Sequence, residues 1–257
     1  MEALFLFLLG IGVGTFGTLV GIGGGLILIP IFVLLMTPTT FVNAQQAIGT
    51  SLFVVFLNSL SGTIAYIRQK KVFFDATIRF AIATVPGAFL GSYMADYFTG
   101  RSFNVTFGLF LIFLSGVMYW KSSTKKATAT EFDPKTFTYN KTLGIIISIF
   151  VGFISSILGI GGGAIHVPLM IYALGFPTHV ATATSHSVLA VSSFTGVISH
   201  YLLNHIVWVP AISIGVGATI GAQLGAKISK KTKPKIIVVL LAFTLFALGM
   251  RLVFLSI

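Results

Sequence analysis

The sequence has no cysteine and only five acidic residues, Glu2, Asp75, Asp96, Glu131 and Asp133. The first absence excludes disulfides and thiolate metal ligands. The second excludes a deep carboxylate proton relay or a carboxylate-based Na⁺ site, because none of the five lies within a long apolar run. There is no HExxH motif. A serine hydrolase would need Ser and His facing each other from different elements. His186 instead adjoins Ser185 and Ser187 in sequence, so on a helix these pairs point to different sides. An enzyme is not expected.

Charge of either sign is scarce. Only 8% of residues are charged, against roughly a quarter in a soluble domain. No Asp, Glu, Lys or Arg occurs from Ala3 to Ile67, 65 residues, or from Thr142 to Ala226, 85 residues. One span needs roughly 20 apolar residues to cross the hydrocarbon core. Each stretch must therefore hold several helices joined by short neutral turns. Glu2 is the only charged side chain before Arg68, so the basic region of a cleaved signal is missing and the first segment reads as part of the fold.

The net charge of +11 is concentrated at Arg68 to Lys71, Lys121 to Lys141 and Lys227 to Lys235, each between apolar spans. Cytoplasmic loops of membrane proteins have this pattern. Nucleic acid is not an expected partner.

The chain repeats itself. Gly21-Ile22-Gly23-Gly24-Gly25-Leu26-Ile27-Leu28-Ile29-Pro30 matches Gly159-Ile160-Gly161-Gly162-Gly163-Ala164-Ile165-His166-Val167-Pro168, at an offset of 138 residues. Gly49-Thr50-Ser51 pairs with Ala183-Thr184-Ser185, Ser61-Gly62 with Thr195-Gly196, and Gly87 and Gly91 with Gly221 and Gly225, at an offset of 134. Each half holds a long apolar segment, a Gly tip with a short apolar segment, and three long helices. Residues 1–121 form the first transmembrane repeat, 122–141 a cytoplasmic linker and 142–257 the second repeat. The apolar segments run at about 3–20, 23–36, 44–67, 76–98 and 102–121, then 142–157, 161–174, 178–203, 206–228 and 235–256.

Equivalent loops differ in charge in opposite senses. Loop 68–75 carries three bases and one acid, and its counterpart near 203–206 none; Asp96 and Arg101 balance, while 227–235 carries five lysines. The positive-inside rule places 68–75, 121–141 and 227–235 in the cytoplasm. The two repeats are then inverted. The expected fold is an all-α polytopic membrane protein with two inverted-topology repeats, each a Gly-tipped broken-helix or re-entrant hairpin plus three transmembrane helices.

Consecutive glycines break a helix, and irregular backbone at membrane depth must be buried in protein or line a wet cavity. The helix restarting after each tip offers unpaired N–H groups and partial positive charge, an anion cradle without a charged side chain. Gly23, Gly24, Gly25, Gly161, Gly162 and Gly163 are the candidates; tight packing is the alternative. Pro30 and Pro168 are expected in the opening turns, where a missing N–H is tolerated. A nucleotide-binding loop is not supported, since no Gly-Lys-Ser/Thr follows. Thr50, Ser51, Thr184 and Ser185 are equivalent by the repeat and can donate hydroxyls to anion oxygens; interhelical bonding or back-bonding is their alternative. His166 stands where the first half has Leu28, and His186 where it has Leu52. Both should be deep in the membrane, where ionisable groups are costly and often functional. The small-residue stripe Gly217, Gly221, Gly225 reads as helix packing.

The paired GxGGGxxxxP tips, the Thr-Ser after each and the succession of spans resemble the sulfite exporter TauE/SafE family across essentially the whole chain. The resemblance implies a multi-pass permease of a prokaryotic plasma (inner) membrane that exports sulfite or an organosulfonate such as sulfoacetate. An anion channel of the same architecture, or a permease for another small anion, is the alternative. No cofactor and no metal is expected. The expected partners are a small anion and the lipid bilayer, with a homodimer left open.

Overall fold

The computed structural model describes residues 2–32, 40–41, 44–94, 97, 101–124 and 132–254. Ten helices follow in order: α1 (Glu2–Val20), α2 (Gly25–Ile31), α3 (Ala44–Arg68), α4 (Phe74–Met94), α5 (Arg101–Thr124), α6 (Lys141–Leu158), α7 (Gly163–Tyr172), α8 (Thr178–Leu202), α9 (Trp208–Lys231) and α10 (Pro234–Phe254). No strand occurs among the described residues. Every apolar segment expected from the sequence is a helix, with ends shifted by a few residues. The predicted extension of α2 toward 36, most of the turn near 99, and linker residues 125–131 lie outside the described residues.

Pro30 and Pro168 differ from expectation. Each sits at the sixth residue of its helix, past the opening turn. The ladder bond to the carbonyl four residues earlier is therefore missing in both short helices.

Among the described residues, α1, α3, α6, α9 and α10 are long and apolar enough to cross a membrane. Helix α9 shows what kind of packing this is. Its buried face is Gly217, Gly221, Gly225 with Ala218, Ala222, Ala226, and its exposed face is Val209, Ile212, Val216, Ile220, Leu224 and Ile228. Small residues face inward and large apolar ones outward. That is the arrangement of a helix in lipid, where close backbone packing holds helices together and the solvent is itself apolar.

The halves interlock. Helix α1 packs on α9 and, equivalently, α6 on α4; α3 packs on α8 and α9, and α8 on α3 and α4; α5 packs on α10. A Cβ on Gly87 or Gly91 would strike the carbonyls of Ile149 and Phe153, and one on Gly221 or Gly225 those of Ile11 and Thr15. Those four carbonyls are themselves repeat equivalents. The first helix of each half is thus held against the fourth element of the other by glycine contacts. Helices α3 and α8 run antiparallel: Leu52, near the start of α3, lies beside Gly196 late in α8, while Gly62 lies beside His186 early in α8.

Next to the turn after α3, the linker folds back. Phe132, Phe137 and Tyr139 gather around Phe73 and Phe176, with ring centroids 4.8–6.3 Å apart. Tyr139 donates to Asp75 at 2.9 Å, and Asp75 pairs with Arg79 at 3.0 Å. Asn140 then caps α6 by accepting from Leu143 N at 3.0 Å.

Candidate functional site

The two glycine tips have the same backbone. Gly21, Gly23 and Gly24 have φ of 85°, 76° and 86°, and Gly159, Gly161 and Gly162 have 66°, 78° and 70°. An L side chain is strained at such angles, so glycine is needed to form the turn. The tips also touch. A Cβ on Gly25 would fall 2.8 Å from the Gly159 carbonyl oxygen, and one on Gly163 would strike that of Gly21. Gly23 and Gly161 both lean on Val55 and Leu189, which are equivalent residues of α3 and α8. The two broken segments therefore meet at one place inside the bundle.

A small cavity opens beside the second tip. Gly161, Gly162 and Gly163, His166, Thr84 of α4, Val151 of α6, and Ser185, Val188, Leu189 and Ser192 of α8 line it. Its empty volume is about 170 Å³, and the walls leave room for about one water molecule. Ser185 and Ser192 are 0% and 3% exposed, and neither hydroxyl has a hydrogen-bond partner. Ser155 Oγ, also buried and unpartnered, lies 3.3 Å from where a Cβ of Gly162 would be. The opening N–H groups of α7 have no carbonyl within their own helix to meet. Leaving a buried donor unmade costs about 1–3 kcal/mol, so this concentration of idle donors calls for a ligand or water.

The equivalent place at the first tip is apolar. There Val13, Leu28, Val54 and Ala218 stand for Val151, His166, Val188 and Thr84, and they belong to one apolar cluster with Phe32 and Phe41. Asn58 replaces Ser192 and donates to Gly23 O at 3.1 Å, while Gly23 N is bonded to Gly17 O at 3.1 Å. Ser51 replaces Ser185 and donates to Gly159 O at 3.1 Å. Every donor that idles at the second tip has a bonded or apolar counterpart at the first in these pairs.

Hydrogen-bond direction fixes both deep histidines. Ser148 has one hydroxyl hydrogen, which it donates to Gly144 O at 2.7 Å, so toward His166 Nε2 at 3.3 Å it can only accept. His166 therefore carries its hydrogen on Nε2 and a lone pair on Nδ1. Likewise Thr18 donates to Asn58 Oδ1 at 3.0 Å and accepts from His186 Nε2 at 3.3 Å. Nδ1 of His186 is buried without a partner. His186 packs against Gly62 and, edge to face, Tyr66. It does not line the cavity.

Of the residues singled out in the sequence, Gly161, Gly162, Gly163, His166 and Ser185 come together around the cavity. Gly23, Gly24 and Gly25 face them across the tip contact. Thr50 and Thr184 are placed elsewhere: Thr50 Oγ1 accepts from Val207 N, and Thr184 Oγ1 from Phe73 N, both at 3.0 Å. Each ties the start of its helix to the turn after the equivalent helix of the other half. Ser155, Ser192 and Thr84 were missed. The signal for Ser192 was its place in the repeat, where Asn58 is its counterpart. Thr84 gave none, because only the interlocking of the halves brings α4 to the second tip.

The fold and the site define a multi-pass helical membrane protein with a small cavity between paired halves, its wall carrying His166, Ser185 and Ser192. The chain belongs to the sulfite exporter TauE/SafE family, whose model, Sulfite exporter TauE/SafE, matches residues 6–252. It is a membrane transporter of that family, and its place is the plasma membrane. It is 36% identical over 268 residues to the Probable membrane transporter protein YunE of Bacillus subtilis, covering 99% of this chain and 98% of that one. It is 30% identical over 201 residues to a Probable membrane transporter protein of Methanocaldococcus jannaschii, covering 77% and 72%. A Xylella fastidiosa relative of the same description is 31% identical over 205 residues, covering 77% and 74%. No solved structure matches the chain.

Proposed function

We propose that the protein exports a small sulfur-containing anion, sulfite or a small organosulfonate, through a site between two inverted repeats, and that the anion binds at the second glycine tip. The observation that carries this reading is the cavity at Gly161–Gly163, walled by the idle hydroxyls of Ser185 and Ser192. The opening N–H groups of α7, which have no partner within the helix, add donors and a positive helix end. No acidic side chain lines the cavity, so no negative charge there opposes an anion. A monovalent anion leaving a negative-inside cell gains about 2.3 kcal/mol per 100 mV, which drives export without a coupling cation.

The antiparallel course of α3 and α8, with reciprocal contacts at Thr50 and Thr184, supports inversion of the repeats. Lys70 and Asn204, at φ of 56° and 57°, occupy equivalent turns and should then face opposite sides of the membrane. The closed contact of the tips over Val55 and Leu189 favours alternating access over an open channel. The test is binding of a panel of sulfur oxyanions and sulfonates to the purified protein, with Ser185→Ala and Ser192→Ala each weakening the anion that binds. Binding unaltered by both changes would place the site elsewhere. Single cysteines at 70 and 204, clean because the chain has none of its own, should label from opposite sides.

A further inference from the structure

The ring of His166 has nothing to offer an anion as it stands. It lines the cavity and is 1% exposed. Its single N–H is already given to Ser148, whose own hydrogen is fixed on Gly144 O. What remains on Nδ1 is a lone pair. With Nε2–H engaged, Nδ1 is the ring nitrogen left to meet a ligand, and a fully ionised oxyanion would face it acceptor against acceptor. The clash disappears only if one more proton is present.

No neighbour can supply it. Ser148 of α6 and Phe80 of α4 touch the ring, and Val151 of α6, Thr84 of α4, and Ser185, Val188 and Ser192 of α8 share the cavity wall with it. None of these titrates in the accessible range. The nearest titratable group in the described contacts is Tyr139, on the aromatic layer around Phe80. His186 is turned toward Thr18 and Gly62. The proton must come with the anion or from the medium as the anion binds.

Resting on the reading that this cavity is the anion site, we propose that it takes a singly charged hydrogen-oxyanion whose one exchangeable proton is held between an anion oxygen and Nδ1 of His166. Written as X–O–H···Nδ1 or as X–O⁻···H–Nδ1⁺, the atoms and the net charge of minus one are the same. The cavity therefore selects hydrogen-oxyanions, and a dianion binds only by acquiring a proton. Ser148 is the positioning residue. By holding Nε2–H it denies the ring the other tautomer, in which Nδ1–H could serve a bare anion.

The experiment is calorimetry of sulfite binding to the purified full chain, in buffers of different ionisation enthalpy, above and below the second ionisation of sulfite. Linkage converts the buffer dependence into protons taken up per anion. Above that ionisation the wild type should take up about one proton per sulfite, and below it about none. His166→Gln, whose amide can donate, should bind sulfite with the uptake lost. Ser148→Ala should lower it, since the ring is then free to present Nδ1–H, while Ser148→Thr should restore it. Sulfite binding above the second ionisation with no proton uptake in the wild type overturns the inference and leaves the anion site standing. Uptake unchanged in His166→Gln also overturns it. If no anion binds at all, the reading beneath it fails too.

Discussion

The first and second glycine tips have the same turn, the same positive φ values and the same partners in Val55 and Leu189. They differ in what surrounds the helix that follows. Behind the first tip, Val13, Leu28, Val54 and Ala218 close the space with apolar contacts. Behind the second, His166, Ser185, Ser192 and Thr84 line a small cavity. A duplicated backbone has kept its packing role in both copies, and the second carries the idle hydroxyls of Ser185 and Ser192 where the first has the bonded Ser51 and Asn58. The comparison separates what a broken helix needs in order to fold from what it needs in order to bind.

The largest expected effect tests what the tips share. Gly163→Ala and Gly25→Ala each drive a Cβ into the opposing tip's backbone at Gly21 or Gly159, which cannot yield like a side chain. Both should lose about 3 kcal/mol of stability, read as melting temperature in detergent. A marked drop in one alone would break the equivalence of the tips.

The next effect tests what they do not share. Ser185→Ala and Ser192→Ala should each weaken anion binding by about 1–3 kcal/mol without lowering the melting temperature, because neither hydroxyl has a protein partner to lose. Ser51→Ala should do the reverse, losing about 1 kcal/mol of stability with its bond to Gly159 O and leaving affinity unchanged. Equal behaviour of Ser51 and Ser185 would erase the distinction.

Thr50→Val and Thr184→Val sharpen it further. Each removes the acceptor of a loop N–H, Val207 in one half and Phe73 in the other. Both should cost about 1–2 kcal/mol of stability and leave anion affinity alone, since neither residue lines the cavity. A fall in affinity without loss of stability would return these hydroxyls to the site.

The smallest effect lies where the halves have no counterpart, at the linker. The hydrogen bond from Arg79, helped by Tyr139 and Lys141, holds the Asp75 carboxyl below its usual range. A lowered folded value stabilises the folded state above the ordinary carboxylate range, and that stability is lost as pH falls through the lowered value. Asp75 is 37% exposed at its side chain, so the gain is about 0.5 kcal/mol at most. Asp75→Asn should slightly flatten the acid limb of a plot of melting temperature against pH.

Much of this was legible in the residues. The two long uncharged runs fixed a polytopic membrane protein, and the repeat of Gly-Ile-Gly-Gly-Gly fixed two halves and ten apolar segments. The asymmetry of the halves was also visible as His166 against Leu28 and His186 against Leu52. The roles within that asymmetry were not. Thr50 and Thr184 read as site residues because they are polar, duplicated and close to the tips in sequence. Their hydroxyls instead meet loop backbones of the opposite half.

The sequence alone therefore determined the solvent, the segments and the duplication, because these follow from hydropathy, helix length and spacing along one chain. Only the tertiary structure decided which residues wall the cavity at the second tip and which histidine lines it. Its walls come from α4, α6, α7 and α8, brought together by glycine contacts between halves. Whether a buried hydroxyl is idle depends on the acceptor across from it, and that acceptor belongs to another part of the chain.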